Sequence, residues 1–397
     1  MSDFYLPRQG GIELHVRDLA AGQHAAGHDV EVVTCSRIDR RDRHPVAEDG
    51  VRVHRVTEHA VPPWTYHPSG LAVGRRVIRR GRYDVVHAHM SLASPLSFAV
   101  AAAAAAAVVP LVVTVHSLAD RAEPLFHALD AALHWSQWPA AFTAVSGVAA
   151  QPLRRLVGPD RPVHILPNGI DPSYWRVEPR ERSADEVVVA AVMRLARRKR
   201  AVALVHMLRE ARRRLDPAIG LRAVIVGEGS QRAPLLRYLD RHAMADWVSL
   251  PGHWPRHEIR SLLGRADVFI APATLETFGI AALEARCAGV PVVARRQGGI
   301  SEFVTDGREG LLADSDAGMV TALLRLATDP AERAAIAAHN RLTTPSLAWT
   351  EALARTDEVY ATAIGLARRA RPGLRSAGSP GLYGVSSRPR PSEQSEG

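Results

Sequence analysis

The chain has 397 residues, a formal net charge of +9 at pH 7 and a pI near 10.3. Its length accommodates two domains of ordinary size, and 47% hydrophobic with 23% charged residues excludes a disordered or fibrous chain. The positive balance points to an acidic partner (nucleic acid, an anionic membrane surface or a phosphorylated substrate) or to no more than an arginine-rich solvated surface, while two cysteines, Cys35 and Cys287, exclude a disulfide framework and suit the cytoplasm.

In chain order, the opening MSDFYLPRQGG lacks the charged stretch and apolar run of a signal peptide. A helix is predicted over 11–26, followed by short β-branched strands at 30–33, 51–55, 85–87, 111–115, 141–145 and 163–166. The longest apolar segment, 98–115, is interrupted by Pro110 and carried by alanine, so it is too weakly hydrophobic to span a bilayer. The seven alanines from Ala101 read as helix-compatible filler. A polar, proline-bearing stretch, DPSYWRVEPRERSADE (171–186), reads as a linker between 1–170 and a second domain, 187–346. Strands then restart at 187–192, 223–226, 248–250, 268–270 and 291–294, with a helix at 201–215. Fully apolar strands with helical crossovers predict parallel sheets covered on both faces. The fold class is therefore α/β, with two doubly wound Rossmann-like domains facing a central cleft and ligands expected beyond the carboxyl ends of the strands. From 370 onward, Pro, Ser, Gly and Arg dominate and predict disorder.

Chemistry concentrates in the second half. In VFIAPATLETFGIAALEARCAGVPVVARRQGGISEFVTDGREGLL (268–312), a strand leads into a loop carrying Glu276. Phe278-Gly279 then opens a helix bearing Glu284, eight positions after the first acid. That spacing faces the loop carboxylate to the cleft and sets the second about two turns along the helix. The helix N-terminus offers free N–H groups to a pyrophosphate, and carboxylates accept hydrogen bonds from the vicinal hydroxyls of a sugar and a ribose. A second feature is RLARRKR (194–200): Lys199 is the one lysine in the chain, the other 49 of 50 basic residues being arginines. Asp314-Ser315-Asp316 has the form of a metal-binding D-x-D but precedes a predicted helix at 317–327, which makes helix capping the better reading.

Together these segments resemble the E-x7-E signature of family 4 retaining glycosyltransferases, which have the GT-B fold. Gly10-Gly11 with Glu13, Gly27-His28, DVVHAHMS (84–91), VVTVHS (112–117), AVSGV (144–148), LPNGID (166–171) and VIVGEGSQR (224–232) follow in the family's order, covering roughly 3–365. The resemblance implies a hexosyltransferase that uses a UDP- or GDP-sugar, without metal or other cofactor, and retains configuration by front-face attack. Arg194 and Lys199 would grip the donor diphosphate, and Gly11 would present its N–H to a phosphate. Phe278 and Gly279 would shape the donor site, Glu276 would hold a sugar hydroxyl, and Glu284 would hold the ribose. His116 would lie near the transferred sugar, although alone it reads as readily as a strand-end packing histidine. Gly10, His87 and His89 are acceptor-side candidates. A helix at about 347–369 is expected to return to the first domain.

Two departures from the family pattern stand out. Met193 and Arg200 occupy places where the family has small residues, and the strand that precedes the SDFY-like segment in the family is not seen here. The segments SDFYLPRQGGIELHV and VVTVHS are most similar to transferases that act on phosphatidylinositol or related inositol acceptors. A basic helix with Arg75, Arg76, Arg79, Arg80 and Arg82, together with Trp135 and Trp138, would then meet an anionic membrane at the inner face of the plasma membrane. The alternatives are a solvated charged helix and core tryptophans. Nucleic-acid binding would rest on pI alone. Two rival functions stay open: an inactive nucleotide-sugar-binding protein and a GT-B-fold nucleotide-sugar epimerase.

Overall fold

The computed structural model describes residues 1–7, 10–36, 46–56, 69–91, 94–116, 123–178 and 186–371. The tail expected to be disordered from 370 lies outside these residues beyond Arg371, and so does 179–185 of the linker.

The first half contains the strands Glu31–Thr34 (β1), Val46–Glu48 (β2), Val51–Arg55 (β3), Val86–Met90 (β4), Leu111–Val115 (β5), Ala140–Ala144 (β6) and Val163–Ile165 (β7). They form a three-stranded sheet in the order β1-β3-β2 and a four-stranded parallel sheet in the order β4-β5-β6-β7. Ser2 joins the two, bridging in parallel to Thr34 on one side and to His89 on the other. The centre of the half is thus held by the first two residues, and the Met1 ammonium donates to the His87 carbonyl at 2.8 Å. Burial lowers the pKa of that amine to about 5.

The expectation of wholly parallel sheets fails at β2, which runs antiparallel to β3. The connection is Asp49-Gly50 with φ of 51° and 80°, the positive pair that closes a two-residue hairpin. The alanine run is not filler either. It lies in the helix Pro95–Ala106, where Ala101 and Ala104 are fully buried in the core that includes Ala88 and Met90 of β4. Small side chains let that helix approach the sheet closely.

The second half is one six-stranded parallel sheet made of Glu186–Val192 (β8), Gly220–Val226 (β9), Val248–Gly252 (β10), Val268–Ala271 (β11), Val292–Arg295 (β12) and Gly310–Ala313 (β13). Its order is β10-β9-β8-β11-β12-β13. Chain direction across the sheet therefore reverses between β8 and β11, and a crevice opens beyond the carboxyl ends of those two strands. β13 was not anticipated. It is admitted by Gly310, where a Cβ would stand 2.0 Å from the Val292 carbonyl oxygen.

The helix Trp349–Ala370 crosses back to the first half, where Val359 and Ala363 pack on Val112 of β5 and Ala141 of β6. The linker region opens with the short helix Pro172–Trp175, capped by the Asp171 carboxylate and anchored by the fully buried Trp175. Across the cleft, the Ser146 hydroxyl donates to the Thr277 carbonyl at 2.5 Å, and Arg256 pairs with Asp18 at 3.1 Å. No helix among the described residues is long and apolar enough to cross a membrane.

Candidate active site

The loops that leave β8 and β11 meet in the crevice at the switch point. After β8 the chain forms the turn Arg197–Lys199 and then the helix Ala201–Arg214. After β11 it passes through Glu276 and enters the helix Ile280–Cys287. Lys199 Nζ lies 2.5 Å from Glu276 Oε2, with both side chains largely shielded. Arg194 points across the cleft, its guanidinium 3.7 Å from the buried Glu13 carboxylate on the helix Gly11–Ala25 of the first half. Gly10 makes room for this meeting: a Cβ there would stand 2.4 Å from Glu13 Oε2 and 2.9 Å from the Arg194 guanidinium. Four charged groups and the N-terminus of one helix therefore converge around the crevice.

Both loops are braced by glycines. In the VGEGS turn, Gly227 and Gly229 have φ of 139° and 152°. Side chains there would collide with the Met193 and Leu195 carbonyl oxygens at 1.9 and 2.5 Å. Close approach is thus supplied from the opposite loop, which leaves Met193 free to pack against the core of the second half. Gly299 donates its N–H to the Glu276 carbonyl at 2.7 Å. Gly279 caps the following helix at φ 92°, with Ile300 2.5 Å from where a Cβ would be. Phe278 is buried against Phe303 and so fixes the loop from behind. Two turns on, Glu284 is buried, and desolvation raises its pKa to about 8, with Arg256 pulling the other way.

Arg200 does not add a charge to the crevice. Its guanidinium makes a two-pronged contact with Asp316 at 2.8 and 2.7 Å and donates to the Pro272 carbonyl at 3.2 Å. It thereby ties the loop after β11 to the helix Asp316–Thr328. Ser315 caps that helix, accepting from the Gly318 N–H at 3.0 Å, so the D-x-D stretch is a helix start with a structural ion pair. Arg200→Ala should lower stability by about 1 kcal/mol, the scale of a partly exposed pair, while donor affinity changes less than twofold. Urea unfolding beside a donor titration checks this, and a large affinity loss would place Arg200 at the phosphate site instead.

On the first-half side, His89 Nδ1 lies 3.0 Å from His116 Nε2. His87 stacks on His89 with ring centroids 4.1 Å apart, while its Nε2 meets the Thr114 hydroxyl at 2.6 Å and its Nδ1 meets the Tyr360 hydroxyl at 3.0 Å, a tether between sheet and C-terminal helix. Sequence reasoning missed His15, whose ring centroid is 5.4 Å from that of His116 and which stacks on Trp349. Its signal was position, four residues after Gly11 and hence on the same helix face. Burial lowers the pKa of His15 to about 4 and those of His87, His89 and His116 well below the ordinary value, so all four are neutral at pH 7.

The remaining surface candidates divide. Arg76, Arg79 and Arg80 are exposed on the helix Ser69–Arg80, with Arg82 exposed just beyond its end, and the Arg75 side chain lies outside the described residues. Trp135 is not a surface residue. It is 1% exposed and packs edge-on among Phe98, Phe126 and Phe142. Trp138 is half-buried against Phe98.

Comparison with known proteins agrees with this architecture. Residues 9–174 match Glycosyltransferase Family 4 and residues 176–342 match Glycosyl transferases group 1. A glycogen synthase of Mycobacterium tuberculosis is 30% identical over 92% of this chain and 94% of its own. A phosphatidylinositol N-acetylglucosaminyltransferase chain of Arabidopsis thaliana is 27% identical over 93% of this chain and 82% of its own. A D-inositol 3-phosphate glycosyltransferase of an Arthrobacter species is 29% identical over 89% and 90%. Among solved structures, Anabaena HepE in complex with UDP-glucose superposes with a TM-score of 0.72 at 20% identity, covering 90% of this chain and 98% of that one. Sucrose-phosphate synthase from Thermosynechococcus elongatus gives 0.73 at 21% identity, covering 92% and 96%. With both halves matched and the GT-B architecture in place, the chain belongs to glycosyltransferase family 4 and is a GT-B glycosyltransferase.

Proposed function

We propose that the enzyme moves a hexose, with retention and without a metal, from a UDP- or GDP-sugar to a hydroxyl of an inositol-bearing acceptor. The observation that carries this reading is the Lys199–Glu276 pair at the switch point, facing Arg194 and the N-terminus of the helix Gly11–Ala25. In the free enzyme the cation and the carboxylate hold each other. A donor separates their tasks: Lys199, Arg194 and the Gly11 N–H take the diphosphate, and Glu276 accepts from sugar hydroxyls. Phe278 and Gly279 set the loop that positions Glu276, and Glu284 receives the ribose diol.

As the bond from the anomeric carbon to the phosphate oxygen breaks, negative charge grows on the diphosphate, where the two cations are already oriented. The acceptor oxygen bonds to the same face of the anomeric carbon, and its proton passes to the departing phosphate oxygen. Neutral His116 offers the transferred sugar a hydrogen bond, with His89 holding its ring. On the acceptor side Gly10 makes room for Glu13 and Arg194 to meet, and His87 fixes the strand beneath.

A panel of UDP- and GDP-sugars read by thermal shift and by hydrolysis tests the donor. If none stabilises the protein, the reading fails. Binding without turnover would favour an inactive binder, and a new epimer without acceptor would favour an epimerase. Phosphatidylinositol, inositol phosphate and glucan acceptors distinguish the lipid from the soluble and polymeric alternatives suggested by the relatives.

The lipid form of the acceptor places the enzyme in the cytoplasm, docked on the inner face of the plasma membrane through the exposed Arg76, Arg79 and Arg80. A basic residue near an anionic surface contributes about 1 kcal/mol. Changing all three to glutamate should weaken binding to phosphatidylserine-containing vesicles about 100-fold or more. Co-sedimentation at low salt measures it, and unchanged binding would remove this surface from the proposal.

A further inference from the structure

We propose that His15, His89 and His116 form a binding site for a borderline divalent transition-metal ion, Zn²⁺ being the best chemical match, and that the ion acts as an inhibitor. The geometry is the first reason. The three ring centroids stand 5.3, 5.4 and 5.7 Å apart. Imidazoles bound tetrahedrally at metal–nitrogen distances of about 2.0–2.1 Å have centroids about 5.2 Å apart and nitrogens about 3.3 Å apart. The rings already hold that triangle, and none is parallel to another, with interplanar angles of 35°, 63° and 68°. One nitrogen from each lies within 4.8 Å of the other two, and the His89–His116 pair is at 3.0 Å.

The second reason is an orphaned polar side chain. His15 is 2% exposed, and neither of its ring nitrogens has a hydrogen-bond partner. Leaving such a group unsatisfied costs about 1–3 kcal/mol, which coordination through one nitrogen would relieve. Among the described residues this is the one such cluster of histidine, cysteine or acidic ligands. Three nitrogens without a carboxylate suit Zn²⁺, Co²⁺, Ni²⁺ or Cu²⁺ and disfavour Mg²⁺ and Mn²⁺. Inhibition rests on the proposed function: a metal-bound His116 cannot also bond the donor sugar.

Co²⁺ titration of the full-length chain tests the site, since tetrahedral Co²⁺ absorbs visible light far more strongly than the hexa-aqua ion. One equivalent should produce the intense band, Zn²⁺ should erase it, and Mg²⁺ should leave it unchanged. His15→Phe and His89→Gln, each checked for folding by circular dichroism, should bind Co²⁺ at least tenfold more weakly. Absence of the band in the wild type, or an equal band in a folded variant, overturns the site. Zn²⁺ should inhibit transfer at the concentration that displaces Co²⁺, with recovery on chelation. Metal binding with unimpaired transfer would leave the site standing and overturn both the inhibition and the placement of His116 at the sugar.

Discussion

Lys199→Ala should lower the turnover number about 100- to 1,000-fold, the loss seen when one preorganised charge-stabilising donor is removed from an active site, while the protein stays folded. The loss should fall on kcat more than on donor KM, because the charge that Lys199 meets is largest when the glycosidic bond has broken. Part of the effect comes from Glu276. With its partner 2.5 Å away removed, that carboxylate is left facing the diphosphate and repels it. The double variant Lys199→Ala/Glu276→Ala should therefore lose less than the two single variants added together. Lys199→Arg should recover little, since a planar fork does not fit a site built for one compact ammonium. An ion pair that keeps some contact with water contributes about 1 kcal/mol or less to folding, so the melting temperature should move by only a few degrees. Single-turnover rates with saturating donor, beside thermal melts, give both readings. Wild-type turnover in Lys199→Ala would end the assignment.

The second sheet was legible because its strands are fully apolar and its loops carry motifs in a set order. β8, β9, β10, β11 and β12 emerged within a few residues of their observed ends. Elements whose existence depends on neighbours were not legible. β13 exists because Gly310 lets two backbones touch, and β2 exists because Asp49-Gly50 turns back on β3. β4 extends to Met90 through His87 and His89, residues that would not announce a strand unless the opposing wall were known. For the same reason His15 went unseen: a histidine on an amphipathic helix is unremarkable until two others approach it from β4 and from the end of β5. The identity of Arg200 as a brace was equally hidden, since its partner Asp316 lies 116 positions away. Motif residues fixed by short-range spacing were thus readable, and those fixed by tertiary pairing were not.

Glu284→Gln should stabilise the free enzyme at alkaline pH and weaken its hold on the donor. Burial lifts the Glu284 pKa from 4.5 to about 8. Below the lower value both folded and unfolded chains carry the proton, and burial exacts no ionisation penalty. Between the two values the unfolded chain ionises while the folded protein stays protonated, so stability falls as pH rises. Above about 8 the whole penalty stands, on the order of 5 kcal/mol. Glutamine cannot ionise, so the variant should lack this slope and be the more stable protein at pH 9, as urea unfolding at pH 5 and pH 9 would show. Donor binding should run the other way. Two ribose hydroxyls donate best to the carboxylate, so binding drives off the proton and affinity should climb with pH until about 8. In Glu284→Gln that climb should vanish and affinity should fall at least tenfold, because two charge-assisted hydrogen bonds become neutral ones. Equal pH profiles for variant and wild type, in stability and in donor affinity, would show that Glu284 neither titrates in this range nor touches the ribose. The donor-affinity profile is what distinguishes a ligand-binding acid from one that is merely buried: glutamine relieves the ionisation penalty of either, but only an acid held ready for a diol loses affinity and its pH dependence on replacement.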